Sequence, residues 1–431
     1  LVQTDEFRVR FHQAIDEETA EGADCPKDLL WQAALELSSV YGKRQGAEGF
    51  KADGSLDRES LRESLKLVLQ HVKRDSTPGV PFCMSARNNA DLLGDALLVG
   101  MLLDVVEERI VRILELSRST TYNSLDGLQA VLARVVDPVR VFVKTEPHKE
   151  AKALMKRWRL IWSCGLVDQV IERFLYTNVT KSEISRWLQC PSKPGMGSSD
   201  PDLAALAGMI ADQMSYTGML ADTDVSGWDM SLKRWTLLVA EFSYYLQMPY
   251  SVSSDYIVLA MWRNNLACKP IAVTSNGDFF RIDSVALMLS GRFVTSWLNS
   301  RARVSLIALR GYTGMAMGDD CIEAVAKEDK QLLQFYQTLG YPSEVEYHES
   351  WINSNFCSLR FFLKDDMVQA LPANWSRTLY RLLSKTVRPP EEVLQFLGDI
   401  RHVSRTPAEE AAVWDLVTPF AEALSVRAED V

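Results

Sequence analysis

Asp319 and Asp320 follow Gly318 between the apolar stretches Met315-Ala316-Met317 and Cys321-Ile322. Apolar runs on either side of a turn glycine read as a hairpin with the carboxylates at its tip. Two adjacent carboxylates in that position suit metal-assisted phosphoryl chemistry. Alone, the triplet carries little weight. With Gly near 7% and Asp roughly one residue in twenty, a chain of 431 residues holds one by chance about one time in ten.

A second acidic strand end lies upstream, where Met219-Leu220-Ala221 reads as a buried strand running into Asp222, Thr223 and Asp224. Val225-Ser226-Gly227-Trp228-Asp229 and a helical continuation follow. Asp222 and Asp224 point to the same face of a strand, so either could reach a metal. Between the two acidic sites stand Ser290-Gly291, Thr295 and Asn299. At helical spacing these fall on nearly one face from the glycine onward. That pattern should arise by chance only about a few times per thousand such chains.

The chemistry that would use these groups is nucleotidyl transfer by the two-metal route, with two divalent ions about 4 Å apart. Mg²⁺ takes hard oxygen ligands and is held by one or two carboxylates with substrate phosphates and water, so Asp224, Asp319 and Asp320 would suffice. Two carboxylates about 4 Å apart repel by roughly 4 kcal/mol at an effective dielectric of 20, so the site should bind cations or shift its protonation. Asp229 and Asn299 could respectively accept from and donate to a sugar hydroxyl; the bland readings are a helix N-terminal acid and a helix-surface amide.

A basic block runs through Lys144, His148, Lys149, Lys152, Lys156, Arg157 and Arg159 in an otherwise acidic chain. It reads as phosphate binding, or as a solvated charge run. Thr77-Pro78-Gly79-Val80-Pro81 reads as a rigid turn whose glycine could let backbone approach a nucleic-acid strand.

The order Asp-x4-Asp, Ser-Gly-x3-Thr-x3-Asn, Gly-Asp-Asp resembles motifs A, B and C in the palm of viral RNA-dependent RNA polymerases, closest to the sobemovirus and luteovirus-like group of positive-strand plant viruses. The resemblance implies an α+β fold of right-hand form with fingers, a palm built on an antiparallel sheet and a helical thumb. It assigns the first metal ligand to Asp224 over Asp222, with Asp319 and Asp320 completing a site for two Mg²⁺ or Mn²⁺ ions. It gives Asp229, Ser290, Thr295 and Asn299 the ribose. Lys144 to Arg159-Leu160-Ile161 resembles motif F, so Lys144 and Arg159 would grip the triphosphate. Thr77 to Pro81 resembles motif G at the template entry, and Gly79, Gly291, Lys149 and Lys152 would contact RNA. Leu339-Gly340-Tyr341 resembles the start of motif D, and Phe356-Cys357-Ser358 with Leu359-Arg360-Phe361 resembles motif E, the primer grip. One departure stands out: residues 341–350 hold no lysine to act as general acid. His348 could donate a proton, and a surface role is at least as good a reading of a lone histidine.

Implied partners are template RNA, NTPs, a genome-linked protein and other products of a viral polyprotein. The implied location is the host-cell cytoplasm, at membrane-associated replication complexes reached through those partners. Two rivals remain: a reverse transcriptase, and a catalytically dead RNA-binding scaffold.

Composition bounds the rest. With 47% hydrophobic and 24% charged residues, the chain is ordinary for a globular enzyme of a few subdomains. A net charge of −10 argues against a generally basic RNA-coating protein. RNA would need a local channel, to which Arg292, Arg301, Arg303, Arg377, Arg381 and Lys385 could add cations. The seven cysteines contain no Cys-x-x-Cys pair and do not join the five histidines at zinc spacing, which fits a reduced setting. Cys321 reads as a packing residue. No apolar run reaches membrane-spanning length.

Residues 1–60 are expected to bridge fingers and thumb, with fingers at 61–215, palm at 216–362 and thumb at 363–431. Asn276-Gly277 marks a hairpin ahead of the Ser-Gly motif, and Trp375–Lys385, Glu391–Val403 and Ala408–Leu424 read as helices.

Overall fold

The computed structural model describes the chain apart from residues 1, 19–24, 145–149, 151–153, 157, 198, 283–285, 328, 330, 353, 365, 375–376, 378–379, 381–389, 403–405 and 424–431. Helices are mixed with sheets that are antiparallel apart from the parallel β1–β4 pair. The strands are β1 (Val139–Val143), β2 (Leu160–Ser163), β3 (Gly218–Val225), β4 (Ile271–Val273), β5 (Phe279–Arg281), β6 (Gly314–Met317), β7 (Asp320–Ala326), β8 (Ser343–His348), β9 (Asn355–Phe356), β10 (Leu359–Lys364) and β11 (Met367–Pro372).

The central sheet has the order β6-β7-β3-β8, antiparallel throughout. Its register pairs Thr223 with Cys321 and Leu220 with Ala324. Because side chains alternate along a strand, Leu220, Asp222 and Asp224 share a face with Asp320 and Ile322, while Thr223, Cys321 and Glu323 look the other way. The first face is covered by the Asp200–Thr217 helix, whose Leu203, Leu206 and Ile210 pack on Leu220, Met315 and Ile322. The second joins the main core through Ala221, Val225, Cys321 and Val325. With both faces covered, β7 is buried from Cys321 to Val325, which is why it reads as an unbroken apolar run around one acid, Glu323.

Local chemistry sets the entry to β3. The Ser199 hydroxyl accepts from the Asp202 N–H, Pro201 sits in the first turn, and Gly218 at φ 84° ends the helix and starts the strand. The helix thus runs across the expected boundary at 215. It lies on the central sheet, because the chain turns at Gly218 and covers its own strand's apolar face. A second four-stranded sheet, β2-β1-β4-β5, draws on both segments as well. Ala272 packs with Val139 and Trp162 in a separate small core, and the Asn276-Gly277 hairpin forms as expected, with Gly277 at φ 89°. β10 runs across the expected boundary at 362 and pairs with β9 and β11.

The N-terminal helices Val2–Glu18 and Lys27–Tyr41 pack on the Arg234–Tyr245 helix, and the second also meets the Thr295–Ala308 helix. Their apolar faces thus add to the main core. Helices Pro390–His402 and Pro407–Ala423 pack together at the C-terminal end, each opened by proline. Arg381 and Lys385 lie outside the described residues.

Arg292, Arg301 and Arg303 do not line a channel. They are 5%, 0% and 0% exposed, because the interior supplies their partners. Arg292 Nε donates to Glu172 at 2.8 Å, Arg301 Nη2 to Glu183 at 2.6 Å, and Arg303 Nη2 to the Thr223 carbonyl at 3.2 Å.

Candidate active site

The Gly-Asp-Asp triplet forms the tip of the β6–β7 hairpin, with Met317 opposite Asp320 and only Gly318-Asp319 between the strands. Gly318 sits at φ 66°, a conformation that side chains other than glycine rarely adopt. Asp319 and Asp320 are both solvent-exposed, as is Asp224. Since Thr223 pairs with Cys321, Asp224 and Asp320 come next on the two strands, on the same face. Asp320 therefore meets two like charges: desolvation by its surroundings, then Asp319 and Asp224, push its carboxyl up to about 6. The donor set is hard and oxygen-only, which fits Mg²⁺ or Mn²⁺.

Asp229 stands in the short Trp228–Ser231 helix that follows β3 through Gly227 at φ 64°. Burial pushes its carboxyl up to about 6, the Asp319 charge adds to this and Arg159 opposes it, so the three are electrostatic neighbours. Arg159 is exposed just before β2, and its carbonyl accepts from the Lys144 N–H at 2.8 Å, which fixes the two cations across the β1–β2 pair. Lys149 and Lys152 lie outside the described residues.

The Ser-Gly-x3-Thr-x3-Asn motif is less helical than its spacing implies. The helix begins at Thr295, and Ser290 to Val294 form the turn before it. The Thr295 hydroxyl folds that turn, lying 2.7 Å from the Leu289 carbonyl and 3.0 Å from that of Arg292. Ser290 is exposed and its Oγ accepts from the Trp162 N–H at 3.1 Å. A Cβ on Gly291 would stand 2.1 Å from the Trp162 carbonyl, so only glycine lets this turn lie against β2. The Met288 N–H donates to the Asp229 carbonyl at 3.1 Å, bringing the turn beside Asp229. Asn299 is 5% exposed, and its Oδ1 accepts from Trp228 Nε1 at 2.9 Å. What it can offer a sugar is its amide N–H groups. Gly79, at φ 64°, lies against the Cys164 carbonyl and Gly165, so the close backbone approach it permits is within the chain.

Asp222 is a half-buried neighbour that bonds to the backbone. Its Oδ2 accepts from the Asn355 N–H at 2.9 Å and lies 2.8 Å from His348 Nε2. His348 is thus no surface residue, its side chain being 10% exposed; the hydrogen bond to Asp222 raises its pKa. Asp222, Glu346 and His348 bring one ligand atom each within 4.8 Å of one another, a second place where a cation could be held. Cys321 is buried, as expected of a packing residue.

The raised Asp320 pKa has a measurable consequence. Between about pH 4 and 6 the folded chain keeps a proton that the unfolded chain has released, so without metal this group lowers stability as pH rises through that window. A divalent ion must displace the proton near pH 5 but not near pH 7. The rise in thermal midpoint on adding Mg²⁺ is expected to be larger at about pH 7 than at about pH 5. Equal rises in a thermal melt series would count against these carboxylates as the ligands.

Sequence reasoning missed the supports of the site: Ser300, which accepts from the Gly318 N–H at 2.8 Å, and Arg303 on Thr223. One signal was available, since Glu323 is an acid inside an apolar strand and needs an internal partner. It receives the Thr223 and Tyr336 hydroxyls.

Residues 54–206 match the family model described as viral RNA-directed RNA-polymerase. That segment ends before all three carboxylates, so the match and their geometry are separate observations. Over 350 residues the chain is 29% identical to the RNA-directed RNA polymerase of mushroom bacilliform virus, covering 78% of this chain and 80% of that one. It is 31% identical over 348 residues to Protein P1-P2 of pea enation mosaic virus-1, covering 77% of this chain and 28% of the relative. It is 29% identical over 380 residues to Replicase polyprotein P2AB of southern cowpea mosaic virus, covering 85% and 37% respectively. The chain thus spans about a third of these two longer relatives.

Proposed function

From its kinship with the viral RNA-directed RNA polymerases, we infer that this chain is a nucleotidyltransferase that copies RNA for a positive-strand RNA virus, adding NTPs to an RNA 3′-hydroxyl. The observation that carries the reading is the meeting of Asp224, Asp319 and Asp320 with Asp229 and Arg159, from separate parts of the chain. The central sheet is then the palm of a right-hand polymerase, the sheet of β1, β2, β4 and β5 belongs to the fingers, and the C-terminal helices form the thumb.

Asp224, Asp319 and Asp320 would hold two Mg²⁺ or Mn²⁺ ions, which when bound activate the attacking hydroxyl and stabilise the leaving pyrophosphate. Around them the protein positions the substrate. Arg159 and Lys144 neutralise the triphosphate, the guanidinium by its planar fork and the ammonium as a point charge. Asp229 accepts from the ribose hydroxyls and Asn299 donates to them through the N–H groups that its bond to Trp228 leaves available. Ser290 and Thr295 shape that side of the pocket. By the family resemblance, Gly79, Gly291, Lys149 and Lys152 would contact RNA. Partners are template RNA, NTPs, a genome-linked protein and other products of the polyprotein, at cytoplasmic replication complexes.

The test is incorporation of labelled NTP on a homopolymer RNA template with Mg²⁺ or Mn²⁺, a chelator control and a dNTP control. Metal-dependent incorporation of NTP over dNTP is expected. Preference for dNTP would mean a reverse transcriptase, and RNA binding by folded protein with no turnover under any metal would mean a scaffold.

A further inference from the structure

The three elements that carry the carboxylates and Asp229 are tied to a single helix, Thr295–Ala308, by the side chains of Asn299, Ser300 and Arg303. Asn299 accepts from Trp228, the residue before Asp229. Ser300 accepts from the backbone N–H of Gly318, the residue before Asp319. Arg303 donates to the carbonyl and hydroxyl oxygens of Thr223, the residue before Asp224, at 3.2 and 2.5 Å. In each case the helix grips the immediate neighbour of a functional acid, not the acid itself.

We propose that Ser300 and Arg303 are positioning residues that set the separation of the two carboxylate-bearing strand ends, so that the metal site is assembled by this helix. The inference rests on the polymerase reading above.

Ser300 is 0% exposed, and its hydroxyl both donates and accepts. It donates to the Ser296 carbonyl one turn back at 2.7 Å and accepts from the Gly318 turn at 2.8 Å. A serine inside a helix is no better than neutral for helix stability, and back-bonding to the preceding turn slightly weakens the helix. Its contribution is therefore directed outward, to an N–H at a hairpin tip whose two-residue loop has few other restraints. Arg303 is also 0% exposed, approaching Thr223 from the face of β3 opposite to Asp224. Its guanidinium lies 5.4 Å from the Trp228 ring centroid and 5.1 Å from that of Tyr336, so it cannot swing away from the strand. Thr223 passes the constraint on, its hydroxyl donating to Glu323 on β7 at 3.1 Å. β3 is thus held to the helix one residue before Asp224, and to β7 at Glu323, three residues past Asp320. Lysine could supply the charge of Arg303 but not its planar fork held between two rings.

The test uses the full chain as parent, Ser300→Ala, Ser300→Thr and Arg303→Lys. Two readouts are taken: Mn²⁺ binding to the protein without NTP or RNA, and NTP incorporation as a function of metal concentration. Loss of one hydrogen bond in Ser300→Ala should weaken Mn²⁺ binding and raise the half-saturating metal concentration by roughly fivefold. KM for NTP at saturating metal should stay within about twofold of the parent, and Ser300→Thr should restore metal binding to the parent value. Arg303→Lys should shift metal binding in the same direction. Should Ser300→Ala bind Mn²⁺ as the parent does, or lose kcat with metal binding unchanged, the positioning role is overturned. A parent that binds Mn²⁺ but incorporates no nucleotide would count against the polymerase reading instead, because the effect of Ser300→Ala on metal binding is read independently of turnover.

Discussion

Replacing Asp319 by alanine should lower metal-dependent NTP incorporation by on the order of 10³-fold or more while leaving the protein folded. Asp319 is exposed in a two-residue turn and contributes nothing to the core, so the expected change in thermal midpoint is small. Without metal the change should even be slightly stabilising. Asp319 is a like charge that pushes up the carboxyls of Asp320 and Asp229, and removing it relieves both. The pairing of lost activity with unharmed or improved metal-free stability is what separates a metal ligand from a structural acid. Melting curves with and without Mg²⁺, measured beside turnover, decide it. A variant that keeps more than about a tenth of the parent rate would remove Asp319 from the ligand set.

Glu183→Ala should produce the largest loss of stability, and for the opposite reason. The Glu183 side chain is 0% exposed and takes four donors: Arg44 Nη2 at 2.9 Å, Arg301 Nη2 at 2.6 Å, Trp297 Nε1 at 2.9 Å and the Ser192 hydroxyl at 3.4 Å. Breaking a buried ion pair by deleting one partner costs about 3–5 kcal/mol, since the surviving charge stays desolvated. Here two guanidinium groups lose their counter-charge together, so the upper end is expected. Glu183→Gln keeps an acceptor but not the charge and should fall between parent and alanine. The denaturant midpoint, followed by far-ultraviolet circular dichroism, measures it. An alanine variant unfolding at the parent midpoint would show that the interior rehydrates or repacks around Arg301.

These two acids explain how much could be read from the letters. Asp224 and Asp319-Asp320 were legible because their local setting is encoded nearby: an apolar strand running into an acid, and a glycine turn with an acid pair. The Asn276-Gly277 hairpin was legible for the same reason. The buried arginines were not. Arg292, Arg301 and Arg303 look in sequence like any cations near an active site, and only Glu172, Glu183 and Thr223, each roughly 80 to 120 residues away, decide that they face inward. The Thr295–Ala308 helix is buried nearly all round, so it shows no polar stripe to reveal its orientation. The pairing of β1 with β4, from either side of the expected boundary at 215, was not legible either, because pairing partners leave no local mark.

That long-range pairing has a consequence for how the protein is made. Within this chain the helices at Val2–Glu18 and Lys27–Tyr41 are made before the surfaces they cover, at Arg234–Tyr245 and Thr295–Ala308. Domains fold as units and N-terminal parts generally fold first during synthesis; here Phe7, Phe11, Leu30 and Trp31, all buried in the finished core, must wait for it. Their apolar faces therefore stay uncovered until those later segments have been made. Chaperone dependence and protease sensitivity of stalled chains should persist until about residue 308 has left the exit tunnel, then fall together.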